Sequence, residues 1–206
     1  MTDGSGTPSG GRRPRRPRES YTERRARRAE IDDPELVLGA ALRYLETRAR
    51  SVAETRRRLT DAGYRPELVE AAIDRLLALG ILDDDAFARQ WVESRDRARP
   101  RGEIALKREL WQRGIAQPVI EAVLDERRTG NVEDGPSGSS QEIAGSERVA
   151  PDEAAALRLL ERRRRELERV TDPRKRRARA YALLARNGFD SEISCRLSAA
   201  LVAPDD

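Results

Sequence analysis

Leu59-Thr-Asp-Ala-Gly63-Tyr-Arg-Pro-Glu-Leu-Val-Glu-Ala-Ala-Ile73 reads as the end of one helix, a glycine turn and the start of a second helix. A matching stretch follows 51 residues later: Leu110-Trp-Gln-Arg-Gly114-Ile-Ala-Gln-Pro-Val-Ile-Glu-Ala-Val-Leu124. Leu59 falls on Leu110, Gly63 on Gly114, Tyr64 on Ile115, and Leu68 and Val69 on Val119 and Ile120. Ala72 and Ile73 fall on Val123 and Leu124, so the apolar stripe repeats along with the turn. A period of this length marks a supersecondary unit stacked in tandem.

Working outward, Asp33-Pro34 supplies an N-cap and an N1 proline for a helix running toward Arg50, with Leu38, Ala41, Leu42 and Leu45 as its stripe. Ser51-Val-Ala-Glu54 has the spacing of a capping box, and Pro66 opens the third helix of the unit. The second unit has helices predicted over Ile81–Ala98, Glu103–Arg113 and Pro118–Arg127. A third follows from Pro151, with Asp172-Pro173 opening its second helix and Asn187-Gly188-Phe189 as its turn. Gly114 and Gly188 are 74 residues apart, and the excess over the first period nearly equals the Gly/Ser-rich stretch 129–150. The expected fold is therefore all-α: three tandem three-helix repeats at 31–80, 81–128 and 151–206 in an elongated array, with a flexible linker inserted at 129–150. Residues 1–30 have no apolar periodicity and are expected to form a disordered basic tail.

Charged residues are 38% of the chain and aromatics 4%, which favours Leu- and Ala-rich helical cores. There is no histidine and a single cysteine, Cys195, which removes the Ser-His-Asp triad, the Cys-His pair and any intrachain disulfide. Cys195 is expected to be a small buried hydrophobe. No phosphate loop or convergent carboxylate pair is present, so no catalytic residue, cofactor or metal is expected. Asp83–Asp85 read as helix-start caps rather than metal ligands, because adjacent helix positions diverge. With no membrane-length apolar run and no secretory h-region, the expectation is a cytoplasmic protein, a monomer that does not contact membranes. Charge concentrates in two zones, net +5 over 1–30 and net +7 over 162–179, and such zones suit nucleic acid or an acidic protein.

Gly80-Ile-Leu-Asp-Asp-Asp-Ala-Phe-Ala-Arg-Gln-Trp-Val92, followed by Arg95 and Arg101-Gly102, resembles the signature of the RecX family. Ala41-Leu42-x-x-Leu45, Arg48-x-x-Ser51 and Ser51-x-x-Glu54 are similar to that family's first repeat. The resemblance implies a three-repeat helical protein without a catalytic centre that binds RecA nucleoprotein filaments and modulates them, usually by inhibition.

The candidate partner-binding residues are Arg56, Arg57, Lys107 and Arg108, basic at matched positions of two second helices, together with Asp84, Arg95 and Arg101 of the family-like segment. Trp91 and Trp111 lie among Leu and Ile at helical spacing and are expected in the core. A nonspecific DNA-binding repeat protein is the alternative function. Sequence-specific reading is disfavoured, since the third helices begin Pro66-Glu67-Leu68 and Pro118-Val119-Ile120, which are poor base readers.

Overall fold

A computed structural model describes residues 19–130 and 150–201. Within them the chain forms ten helices and no strand: α1 (Tyr21–Ala29), α2 (Pro34–Leu45), α3 (Val52–Ala62), α4 (Pro66–Ala78), α5 (Asp84–Ala98), α6 (Glu103–Gln112), α7 (Gln117–Thr129), α8 (Pro151–Glu168), α9 (Pro173–Arg186) and α10 (Ser191–Ala200). Three units, α2–α4, α5–α7 and α8–α10, each bury their own core. Val37, Leu59, Val69, Ile73 and Leu76 fill the first. Phe87, Leu106, Leu110, Ile120 and Leu124 fill the second, and Leu160, Leu167, Leu184, Phe189 and Leu197 the third. The linker expected at 129–150 falls almost wholly outside the described residues, where Thr129 ends α7 and Ala150 caps α8.

Two boundaries differ from the sequence reading by three residues or more. The first helix stops at Leu45, after which the chain folds back and lays the Arg50 guanidinium over the Tyr44 ring at 4.4 Å. The first helix of the second unit starts at Asp84 instead of Ile81, because the Asp83 carboxylate accepts from the Ala86 N–H at 2.9 Å and fixes the N-cap there. Leu82 consequently packs into the first core, while Ile81 is exposed.

The expectation of a disordered tail over 1–30 fails for Tyr21–Ala29; residues 1–18 lie outside the described residues. Ser20 and Glu23 form a complete capping box, which starts α1 although no residue of it is buried. The helix is held at the end of α3: the Tyr21 hydroxyl donates to the Asp61 carbonyl at 2.8 Å, and Arg28 to that of Ala62 at 3.3 Å.

The units join through a junction used twice. At the first, the Ser51 hydroxyl donates to the Arg113 carbonyl at 2.6 Å, the Val52 N–H donates to Asp84 at 2.9 Å, and Ala53 lies against Gly114. At the second, the Gly102 and Ile104 N–H groups donate to the Asn187 and Gly188 carbonyls at 3.0 and 3.2 Å. There the Glu103 N–H donates to Asp152 at 3.0 Å, and Ala105 lies against Gly188. The N-terminus of one unit's second helix thus seats on the glycine turn that ends the next unit's second helix. Its orphan amides find acceptors there. Gly114 and Gly188 stand at φ +78° and +82°, and a Cβ on either would come closer than 3.0 Å to Ala53 or Ala105. Arg127, 7% exposed, adds an ionic clamp, pairing with Asp96 at 2.9 Å and Asp152 at 2.6 Å. Burial works against its charge, but the Asp96 and Asp152 carboxylates more than offset this, leaving its pKa raised.

Candidate partner-binding face

The outer faces of α3 and α6 carry four of the seven candidate residues. Leu59 on α3 and Leu106 and Leu110 on α6 turn inward, which leaves Arg57 and Arg108 exposed two residues off that stripe. The four cations are not equally available. Arg56 forms a fork with Glu70 at 2.7 and 2.9 Å, which holds the arginine pKa above and the Glu70 pKa below their ordinary values. Lys107 pairs with Glu103 at 2.9 Å, one turn back on the same helix. Arg57 and Arg108 have no carboxylate partner among the described residues, so the strip offers about half the charge its composition suggests.

The other three candidates are engaged within the molecule. Asp84 accepts from the Val52 N–H in the first junction, and burial, assisted by Asp83 and Asp85, pushes its carboxyl pKa up against the opposing effect of that bond. Arg95 donates to Glu109 at 2.6 Å and lies over the Trp91 ring at 4.1 Å. Arg101 reaches across the second junction to the Asn187 side-chain oxygen at 2.5 Å. None of the three is poised outward.

Trp91 and Trp111, both expected in the core, separate. Trp91 is half-buried, stacked on Phe87 at 6.1 Å, and its indole N–H donates to Glu109 at 2.9 Å. It lines a groove of about 350 Å³ with Glu54, Arg95, Glu109, Gln112 and Arg113, in which the Arg113 guanidinium lies over the ring at 3.6 Å. Two arginines and two glutamates balance there, so the groove fastens the first unit to the second and presents no net charge. Trp111 is 68% exposed, because Leu106 and Leu110 already take the inward stripe of α6 and a residue directly after Leu110 points away. The repeat alignment carried the missed signal: Trp111 matches Thr60. Cys195, expected inside, is also exposed, since α10 turns Ser194, Leu197 and Ser198 inward instead.

A second basic surface lies where α8 meets α9. Arg165, Arg169, Arg174, Lys175 and Arg177 are all exposed there, with no ion-pair partner among the described residues. Their neighbours are committed: Arg162 donates to the Ala98 and Arg97 carbonyls at 2.5 and 2.7 Å, and Arg179 pairs with Glu166 at 2.8 Å. Sequence reasoning flagged this zone by charge alone. The structure adds which cations are uncommitted.

Tandem three-helix units with separate cores, locked by helix-terminus junctions and exposing uncommitted arginines, define an all-α repeat protein built around extended surfaces. Family comparison gives the class a name. Residues 38–76, 83–124 and 151–196 match the first, second and third three-helix domains of RecX, respectively. The chain is 34% identical over 164 residues to a regulatory protein RecX of Mycobacterium avium, covering 80% of this chain and 83% of that protein. A regulatory protein RecX of Mycobacterium leprae is 33% identical over 164 residues, covering 80% and 84%. The crystal structure of RecX from Lactobacillus salivarius shares the fold with a TM-score of 0.63 at 18% identity, covering 82% of this chain and 97% of that one. The chain belongs to the RecX family of regulatory proteins.

Proposed function

We propose that this chain is a non-catalytic regulator that binds the RecA nucleoprotein filament and lowers its ATP turnover, strand exchange and co-protease activity during DNA repair. The observation that carries this reading is family membership across all three repeats, the third included. Cationic surfaces spread over all three units suit a polymeric, phosphate-rich partner better than a small molecule. Arg57 and Arg108, rather than the paired Arg56 and Lys107, are the members of the strip that meet the partner. Asp84 and Arg101 contribute indirectly, by holding the units in register, and Arg95 by fixing Glu109 and Trp91 within the second unit. The action is in the cytoplasm, by binding alone and as a monomer.

The test is ATP hydrolysis by RecA on single-stranded DNA with increasing amounts of the chain. A fall in rate that saturates is expected, and a rate unchanged at saturating chain would overturn the reading. The α8–α9 corner favours a second reading, a nonspecific DNA-binding repeat protein, because five uncommitted cations there neutralise phosphates without base contacts. Binding to naked DNA as tight as to the filament would select that reading.

A further inference from the structure

On the outer face of α6, Ile104 and Trp111 are 60% and 68% exposed, the highest values among the exposed large hydrophobic side chains of the described residues. They stand seven residues apart, two turns along one face, with Lys107 and Arg108 between them. The fold does not ask for them. At the matched positions the first unit has Ala53 and Thr60, and in the third unit the 74-residue offset places Ala178 and Ala185. The first and third units build their second helix without a large apolar pair at these positions. Neither side chain belongs to the core clusters of the described residues. Two exposed anchors at i and i+7 flanked by cations have the form of a helix face that lies in an apolar groove of a protein.

We propose that the α6 face of Ile104, Lys107, Arg108 and Trp111 docks into an apolar groove rimmed by carboxylates on the protein component of the filament, with Trp111 as the anchor. This rests on the reading given under Proposed function. Charge and chemistry together select the occupant. Arg108 is exposed with no ion-pair partner among the described residues, so a carboxylate rim complements it. An indole would stack on a nucleobase, but Ile104 gains nothing from a sugar-phosphate chain, whereas both side chains gain from an apolar protein surface. Trp and Arg are also the residues on which protein interfaces concentrate their binding energy. The phosphate-neutralising role falls instead to the α8–α9 corner, which has five uncommitted cations and, apart from the partly exposed Tyr181 further along α9, no aromatic side chain.

The experiment compares wild type, Trp111→Ala and Ile104→Ala for binding to RecA filaments on single-stranded DNA and to the same labelled DNA alone. Circular dichroism checks that the helices are intact. Trp111→Ala is expected to weaken filament binding about thirtyfold, and Ile104→Ala less, with affinity for DNA alone unchanged. Unchanged filament affinity in both variants would overturn the proposal, while wild-type binding upholds the underlying reading. A parallel loss on DNA alone would overturn it in favour of a base-stacking role. Absence of wild-type binding to the filament would sink the underlying reading and the docking proposal with it.

Discussion

Gly102→Ala probes the unit-to-unit junction without backbone strain. Gly102 has φ −76° and ψ 162°, a conformation alanine adopts freely, so no backbone strain enters. A methyl there would come closer than 3.0 Å to the Gly188 carbonyl and the Phe189 nitrogen, which are backbone atoms that no rotamer change can move aside. The junction must open by on the order of an ångström to admit it. That opening sacrifices the bonds from Gly102 N–H to Asn187, Ile104 N–H to Gly188 and Glu103 N–H to Asp152. Three bonds at about 1 kcal/mol each give about 3 kcal/mol. Alanine is also a poorer N-cap than glycine, which adds up to about 1 kcal/mol. Urea unfolding of both proteins measures the total, and amide hydrogen exchange at Glu103 and Ile104 locates it. A loss of about 1 kcal/mol or less, with exchange unchanged at those two amides, would show that the junction does not open, since capping alone would then suffice.

Arg127→Ala should cost about 1–3 kcal/mol, because the part-buried Asp96 and Asp152 lose their shared counterion; thermal or urea unfolding measures it. Phe87→Ala should cost about 3–5 kcal/mol in the same assay, as a buried aromatic of the second core, and near-neutral behaviour would place Phe87 outside that core. Deleting residues 1–30 should cost about 1–2 kcal/mol, for the contacts of Tyr21 and Arg28, and hasten amide exchange at Gly63 and Tyr64; unchanged exchange there would show that α1 is not docked. Asp84→Asn keeps the acceptor for the Val52 N–H and removes the titration. The folded pKa of Asp84 is raised, so the native state holds its proton to higher pH than the unfolded chain, and wild-type stability falls as pH rises from the ordinary aspartate pKa through the folded value. The stability of Asp84→Asn relative to wild type should therefore grow over that rise, and a difference flat with pH would contradict the burial argument.

The three-helix units were legible because turn glycines, N1 prolines and apolar stripes are local signals, and repetition at 51 residues multiplied them. α1 was missed for the opposite reason: Ser20-Tyr-Thr-Glu23 is a readable capping box, but the helix buries nothing and so leaves no periodicity. The candidate strip was half legible. Sequence shows that Arg56 and Lys107 are basic, yet only the fold brings Glu70 to Arg56, across 14 residues and from another helix. Arg101 and Asp84 were expected to meet a partner, but the groups they bind within the chain lie 86 and 32 residues away, and the junctions that pair them are tertiary products. Trp111 illustrates a conflict between two rules. Hydrophobicity places an indole inside, while one step of helical rotation from Leu110 places it outside, and rotation prevails because the backbone sets direction.

Co-sedimentation of the chain with RecA-coated single-stranded DNA, against the DNA alone and RecA alone, tests the central claim most directly. The chain is expected to pellet with the nucleoprotein filament at concentrations where neither component alone carries it down. Pelleting that is equal with naked DNA, or no pelleting with the filament at all, would contradict that claim.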